Sequence, residues 1–156
     1  MNPLNSDPSG THFITTFSRY SPWIWNKGTP MPHTIKYNPE TRMIESWTYG
    51  EFTLDEVREA LAEFAVLIKE HGCSLMLNDY HDAIPKFTAA EIYSMPAIIA
   101  EIFASHGISV HQLKRAFVTT REIRGFLFFE TVTVNQGQNT RVFHEINEAR
   151  NWLLMK

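Results

Sequence analysis

Ionisable side chains of the kinds used in acid–base chemistry follow three segments that are predicted to be strands. Asp79 and His81 come after the first segment, Arg121 after the second and His144 after the third. An aspartate beside a histidine can supply a base and the group that orients it, and an arginine can hold an anion. Loops at strand ends are also polar because they meet water, so a solvated rim is the alternative to a site.

Capping boxes predict the helices that lie between these segments. Residues 53–56, 88–91 and 119–122 have the T-x-x-E form, in which the threonine hydroxyl and the glutamate carboxylate each satisfy a free amide at a helix start. Apolar residues then recur every three or four positions. In the third segment, residues 131–134 are β-branched and also suit a strand. The predicted helices cover about residues 54–71, 89–106, 123–134 and 146–153.

Short runs rich in β-branched and aromatic residues predict the strands. Residues 34–37 and 43–49 flank Asn38-Pro39-Glu40-Thr41, which favours a hairpin turn. Three further strands, over residues 73–77, 115–119 and 140–143, are separated by helices and are therefore expected to pair in parallel. The order ββαβαβαβα predicts an α/β fold with a mixed sheet of about five strands, an N-terminal antiparallel hairpin followed by parallel strands, and about four helices.

The carboxyl ends of the parallel strands are the place where chain order alone predicts a site, because ligands in such sheets bind just beyond those ends. Arg121 adds to this prediction. A cation near a helix N-terminus opposes the helix dipole, and a bound phosphate or carboxylate would relieve that opposition. The candidate binding residues at this edge are Asp79, Tyr80, His81, Arg121 and His144.

The chain divides into an extension, residues 1–32, and an α/β domain, residues 33–156. Five of the 8 prolines lie in the extension, which shows neither helical nor alternating periodicity and is expected to be poorly ordered or docked on the domain. Its apolar triplet, Trp23-Ile24-Trp25, is expected either to dock on the domain or to be an exposed apolar liability. Four consecutive bulky residues, 126–129, cannot all face one core, so we expect either the extension or a partner, including a second copy, to cover part of them.

Composition excludes several classes of function. A net charge of −3 and a pI of about 6.1 leave no excess of cations for a nucleic-acid backbone. The single cysteine, Cys73, cannot form an internal disulfide, which favours a reducing, cytoplasmic location. No apolar run is long enough to cross a bilayer, and we expect neither a membrane span nor a secretory signal.

The sequence lacks the common catalytic and cofactor motifs. GxSxG, GxGxxG, GxxxxGK[ST], CxxC and HExxH are all absent. Cys73 lies at the start of a predicted buried strand, which favours a structural role over a nucleophilic one. We therefore predict no cofactor and no metal site, and we favour a non-enzymatic function.

Residues 31–152 resemble a known family. The matching pieces are Tyr37–Arg42, Leu54–Val57, Lys69–Cys73, Glu91–Pro96, Phe128–Val132 with Asn135 and Gly137, and Glu148–Ala149 with Trp152–Leu153. Together they are similar to STAS-like small bacterial proteins, whose fold is that of the anti-sigma-factor antagonists. The resemblance implies a fold, and none of its pieces is a catalytic signature.

The resemblance also bears on Thr88. In regulatory STAS proteins a strand that ends in aspartate is followed by an Asp-Ser-Ser element at a helix start, where phosphorylation of a serine switches partner binding. Asp79 matches the aspartate, while Phe87-Thr88-Ala89 keeps one hydroxyl of the later element. Thr88 is thus a candidate phosphorylation site, and a role as a helix cap is the alternative.

Three functions follow as hypotheses. The first is a cytoplasmic, non-enzymatic STAS-like regulatory module that binds a protein partner or itself through the helix near Thr88. The second is a carrier of a small anionic or apolar molecule or a lipid, because the resemblance extends to CRAL-TRIO lipid carriers and residues 92–103 are unusually apolar. The third is an enzyme that uses Asp79, His81, Arg121 and His144. A large apolar cavity would favour the second hypothesis, and a filled core would remove it.

Overall fold

The structure is a computed structural model that describes residues 33–120 and 124–156. Within these ranges the chain forms five strands and four α-helices. In chain order they are β1 (His33–Asn38), β2 (Met43–Phe52), α1 (Leu54–His71), β3 (Leu75–Pro85), α2 (Ala89–Ser105), β4 (Lys114–Val118), α3 (Arg124–Asn135), β5 (Asn139–Phe143) and α4 (Ile146–Leu154). One 3₁₀ turn, Val110–Gln112, precedes β4. The predicted order of strands and α-helices is confirmed.

The strands form one mixed sheet in the order β1-β2-β3-β4-β5. β1 and β2 pair as an antiparallel hairpin, and the other three pairs are parallel. Each parallel pair needs a crossover connection, and α1, α2 and α3 provide the three crossovers. The predicted α/β class, with a hairpin followed by parallel strands, is confirmed.

Alternating side chains divide the sheet into two buried faces. One face packs against α1, α2 and α3 and includes Met76 and Phe117. The opposite face packs against α4 and includes Leu77, Ala116 and Val118. The helices thus cover both faces of the sheet, which explains why β4 and the first part of β3 are almost continuously buried.

The first two capping boxes start helices where the sequence predicts them. The Thr53 amide donates to Glu56 Oε2 at 2.6 Å, and the Thr88 amide donates to Glu91 Oε2 at 2.7 Å. α1 then ends at Gly72, whose φ of 57° is the left-handed conformation that glycine adopts without strain. Part of the third box lies outside the described residues.

The residues in α3 that also suited a strand are helical. Thr131 and Thr133 donate their hydroxyl protons to the carbonyls of Leu127 and Phe129, four residues earlier, at 3.0 and 2.9 Å. This hydrogen bond satisfies the hydroxyl group of a threonine within a helix. The alternative of a strand over residues 131–134 is therefore wrong.

β3 is longer than the predicted strand over residues 73–77. It runs to Pro85 because β2 continues to Phe52 and gives it a partner along its second half. The register shifts on the way, since Trp47 pairs with Asp79 and Tyr49 pairs with Asp82, so β3 carries one more residue than β2 over this stretch. A bulge of this kind turns the side chains around it, and Tyr80 lies within it.

The four bulky residues near the start of α3 divide between core and surface. Phe126 and Phe129 are buried, whereas Leu127 and Phe128 are 52% and 41% exposed. The apolar triplet Trp23–Trp25, for which docking on the domain is one of two alternatives, lies outside the described residues. No helix within residues 33–120 and 124–156 has the length and apolar character needed to cross a membrane.

Candidate functional site

A cavity of about 230 Å³ lies between the sheet and the three helices α1, α2 and α3. Its floor is formed by side chains of β3 and β4, namely Met76, Asn78, Arg115 and Phe117. Its walls are apolar side chains of the helices, such as Phe64 on α1. The space is partly open to solvent, so it is a deep apolar pocket rather than a void sealed within the core.

The rim of the cavity lies at the carboxyl edge of the parallel strands. Val57, Ile92 and Gly125 belong to the first turns of α1, α2 and α3, and all three line the cavity and are half-buried. Pro85 and Phe87, which end and follow β3, line the same side. The cavity therefore lies toward the edge at which ligands of α/β sheets bind.

Arg115 is the polar group that most distinguishes this cavity. It lies near the start of β4 and is only 2% exposed. Nη2 donates to Gln138 Oε1 and, at 2.9 Å, to Thr140 Oγ1. The Gln138 side chain is itself fixed, because its Nε2 donates to the Pro96 carbonyl of α2 at 3.0 Å. The guanidinium is thus held rigidly by neutral groups.

The charge of Arg115 has no acidic partner among the described residues. None of the ion pairs in residues 33–120 and 124–156 includes it. Its Nε is buried and lacks a hydrogen-bond partner. Burial lowers the pKa of Arg115 to about 10, which still leaves it protonated at neutral pH. An uncompensated buried cation is costly, and such groups are normally paired or hydrogen-bonded in full.

Tyr80 lines the same cavity from the bulge of β3. Its ring lies among three phenylalanines, with centroid distances of 5.5 Å to Phe52, 5.8 Å to Phe117 and 5.4 Å to Phe126. Burial raises the pKa of Tyr80 to about 12, and the charge of Arg115 partly opposes this rise. The phenol therefore stays protonated at neutral pH and can donate a hydrogen bond.

Two of the predicted binding residues, Asp79 and His81, contact each other. Asp79 Oδ1 accepts a bond from the His81 amide at 3.0 Å and lies 2.9 Å from His81 Nδ1. Asp79 lies opposite Val118 of β4 in the register, and Val118 in turn lies opposite Phe143 of β5. β4 and β5 therefore end side by side next to Asp79, whereas β3 continues past this point to Pro85, so the prediction that Asp79 and His81 follow the end of their strand is wrong.

His144 follows Phe143 and is two strands away from Asp79. Adjacent strands are about 4.8 Å apart, so the two residues are separated by about 10 Å. His144 Nδ1 lies 2.9 Å from the Thr119 carbonyl oxygen, which can only accept, so that nitrogen donates. Neither Asp79, His81 nor His144 lines the cavity.

Thr88 and Arg121 complete the predicted set. Thr88 Oγ1 accepts a bond from the Glu91 amide at 3.2 Å and donates to the Glu91 carboxylate at 2.9 Å, so its hydroxyl serves as a helix cap. Its phosphorylation stays a prediction. Arg121 lies outside the described residues. Within the part of the chain that the structure describes, no three His, Cys, Asp or Glu side chains are grouped so as to hold a metal ion.

Arg115 is the functional candidate that sequence reasoning missed. It was assigned only as the first residue of a predicted strand. Alternation along that strand places Arg115 on the same face as Phe117, which the apolar pattern marks as buried, and this was the available signal. That no acidic side chain in the described part of the chain pairs with Arg115 could not be inferred, because this depends on residues far away in the sequence.

Comparisons with known proteins concern the fold. No protein-family model and no curated protein matches the chain. The chain is similar to the crystal structure of an uncharacterized protein from the DUF3478 family with a SpoIIAA-like fold, from Shewanella loihica PV-4. The two share 15% sequence identity, the similarity covers 79% of this chain and 93% of the other, and the TM-score is 0.49. That description names a fold and carries no information about function.

Proposed function

We propose that this α/β domain binds a small, largely apolar molecule in the cavity beneath α1, α2 and α3. The observation that carries the proposal is the cavity itself, about 230 Å³ in volume and walled by apolar side chains. An engineered cavity of about 150 Å³ is enough to bind benzene, so this one could hold a molecule of roughly nine non-hydrogen atoms. Of the hypotheses drawn from the sequence, the small-molecule carrier is the one that this cavity favours.

The energetic cost of the cavity supports a functional use. The apolar side chains that line this space, which is partly open to solvent, lack the van der Waals contacts that a filled core would give them. Domains are stable by only about 5–15 kcal/mol in total. A bound molecule would recover much of this loss, since filling the space restores the missing van der Waals contacts.

The proposal is tested by titrating the protein with straight-chain alcohols from hexanol to decanol, using calorimetry and amide chemical shifts. Affinity should rise about fourfold per added methylene until the chain fills the cavity. Ala60 lines the cavity, so Ala60→Leu should weaken octanol binding at least about tenfold. Ala104→Leu makes the same change at an exposed position of α2 and serves as the control. Absence of binding to the wild-type protein would contradict the proposal.

A protein-interaction role is the second candidate, and the exposed pair Leu127 and Phe128 on α3 favours it. The same helix places Phe126 and Phe129 against the cavity, so one element serves both the cavity and this surface. Sedimentation of the full chain and of a Leu127→Ser/Phe128→Ser variant tests self-association through this pair. Identical monomeric behaviour of both proteins would remove self-association. A cytoplasmic location and the identity of any protein partner stay predictions from the sequence.

A further inference from the structure

We propose that the molecule bound in the cavity is a medium-chain carboxylic acid, held as its anion with the carboxylate against Arg115 and the hydrocarbon chain among the helices. This inference rests on the proposed function, because it specifies the chemical class of the ligand. It follows from the composition of the cavity lining, in which apolar side chains surround one buried cation, Arg115.

The guanidinium of Arg115 is a buried cation that has no anionic partner among the described residues. Its two bonds to Gln138 and Thr140 both use Nη2, and both acceptors are neutral. Nε is buried and has no hydrogen-bond partner. A carboxylate oxygen would accept from the guanidinium and would cancel its charge, and charge-assisted bonds of this type are about twice as strong as neutral ones.

The position of Arg115 sets the orientation of the ligand. Arg115 pairs in register with Met76, whereas the half-buried rim residues Val57 and Ile92 lie at the opposite, carboxyl edge of the sheet. The acid would therefore lie with its head deep in the cavity and its chain directed toward the rim. Tyr80 lines the path between these ends, and its hydroxyl remains a donor at neutral pH.

The volume of the cavity and the single positive charge of Arg115 favour a small monocarboxylic acid over other anionic ligands. A single guanidinium balances one negative charge, so a phosphate dianion would leave an unpaired charge among apolar side chains, which is costly. The volume accommodates roughly nine non-hydrogen atoms, which is close to the size of octanoate and well below that of a membrane phospholipid. Asn78, the remaining polar side chain of the described lining, is held in place because its amide donates to the Ala116 carbonyl at 3.1 Å and its oxygen accepts from Ser46 at 3.2 Å, and it carries no charge to balance an anion.

The test compares octanoate with octan-1-ol, which has the same chain length and no charge. Calorimetric titration of the wild-type protein at neutral pH should show octanoate binding at least about tenfold more tightly than octanol. Arg115→Met keeps an unbranched side chain and removes the cation. This variant should lose at least about tenfold in octanoate affinity and change by less than about threefold for octanol.

A matched control separates the specific pairing from general electrostatics. Arg141→Met removes one positive charge from an exposed position on β5, outside the cavity lining, and should leave both affinities unchanged. Arg115→Lys keeps the charge and loses the planar array of donors, so it should retain part of the preference for octanoate.

Each outcome has a distinct meaning. If the wild-type protein binds octanol as tightly as octanoate, or if Arg115→Met leaves octanoate affinity unchanged, the carboxylate inference is overturned while the binding function stands. If neither compound binds the wild-type protein, the binding function itself fails. Should Arg115→Met fail to fold, the comparison of acid and alcohol in the wild-type protein still decides.

Discussion

Filling the cavity from α1 is the perturbation that most directly tests whether the space is empty. Ala60 and Ala65 are both buried on this helix, with 5% and 0% of their surfaces exposed. Ala60 lines the cavity, whereas Ala65 packs in the core cluster and does not line it. Substitution of each alanine by leucine adds the same three carbons to two environments that differ in free space.

The expected changes in the free energy of unfolding have opposite signs. At Ala60 three buried carbons contribute about 0.8 kcal/mol each, and the leucine side chain loses about 0.5–1 kcal/mol of rotamer entropy, so Ala60→Leu should stabilise the fold by about 1.5 kcal/mol. For a chain of this size that corresponds to a rise in Tm of roughly 3–6 °C. At Ala65 no space is available, and overpacking should destabilise the fold by about 1–3 kcal/mol.

Urea denaturation followed by circular dichroism measures both variants, after the protein has been unfolded and refolded to remove any bound molecule. The slope of the free energy against urea concentration should stay constant, which would show that the unfolded states are comparable. If Ala60→Leu destabilises the protein as much as Ala65→Leu does, the space beneath α1 is packed and the argument for a binding cavity is refuted.

Three further predictions concern the helix ends and the strand rim. Gly72→Ala should destabilise the fold by about 1 kcal/mol in urea denaturation, because alanine is strained at a φ of 57°, and Gly72→Asn should cost less. Hydrogen bonds from the amide and hydroxyl of Thr88 lower the pKa of Glu91 below its usual value of 4.5. The contribution of Glu91 to stability is therefore present above pH 4.5 and is lost as the pH falls through the lowered pKa. Glu91→Gln should remove this part of the acid dependence, and NMR titration of the wild-type protein should show the lowered pKa. Asp79→Ala removes two bonds to His81 and should cost about 1 kcal/mol, yet octanoate affinity should change by less than about twofold, since Asp79 does not line the cavity; a large loss of affinity would move the site to the rim.

Much of the fold follows from local signals. The boxes at Thr53 and Thr88 mark helix starts because each of them satisfies free amides within four residues of chain. Gly72 marks a helix end for an equally local reason, its left-handed backbone. The predicted strand over residues 73–77 is too short because the apolar run ends at Asn78 and Asp79, while the pairing with β2 that extends β3 is non-local.

The candidate site was predicted in part. The sequence placed binding at the carboxyl edge of the parallel strands, where the rim of the cavity lies, and it named Tyr80, which lines the cavity. It also named Asp79, His81 and His144, which lie at that edge outside the lining. These residues are predicted because they are polar, whereas the cavity lining is largely apolar. The volume of the cavity depends on how side chains from distant segments of the chain pack against one another.

The sequence by itself determined the order of helices and strands and the parallel pairing that follows from it, because capping, periodicity and crossover length act over short stretches of chain. Only the tertiary structure decided that Arg115 is buried, lines the cavity and has no acidic partner among residues 33–120 and 124–156. These properties depend on the positions of Gln138, Thr140 and the helices α1, α2 and α3 around β4. No local sequence pattern specifies the volume that remains unfilled between them.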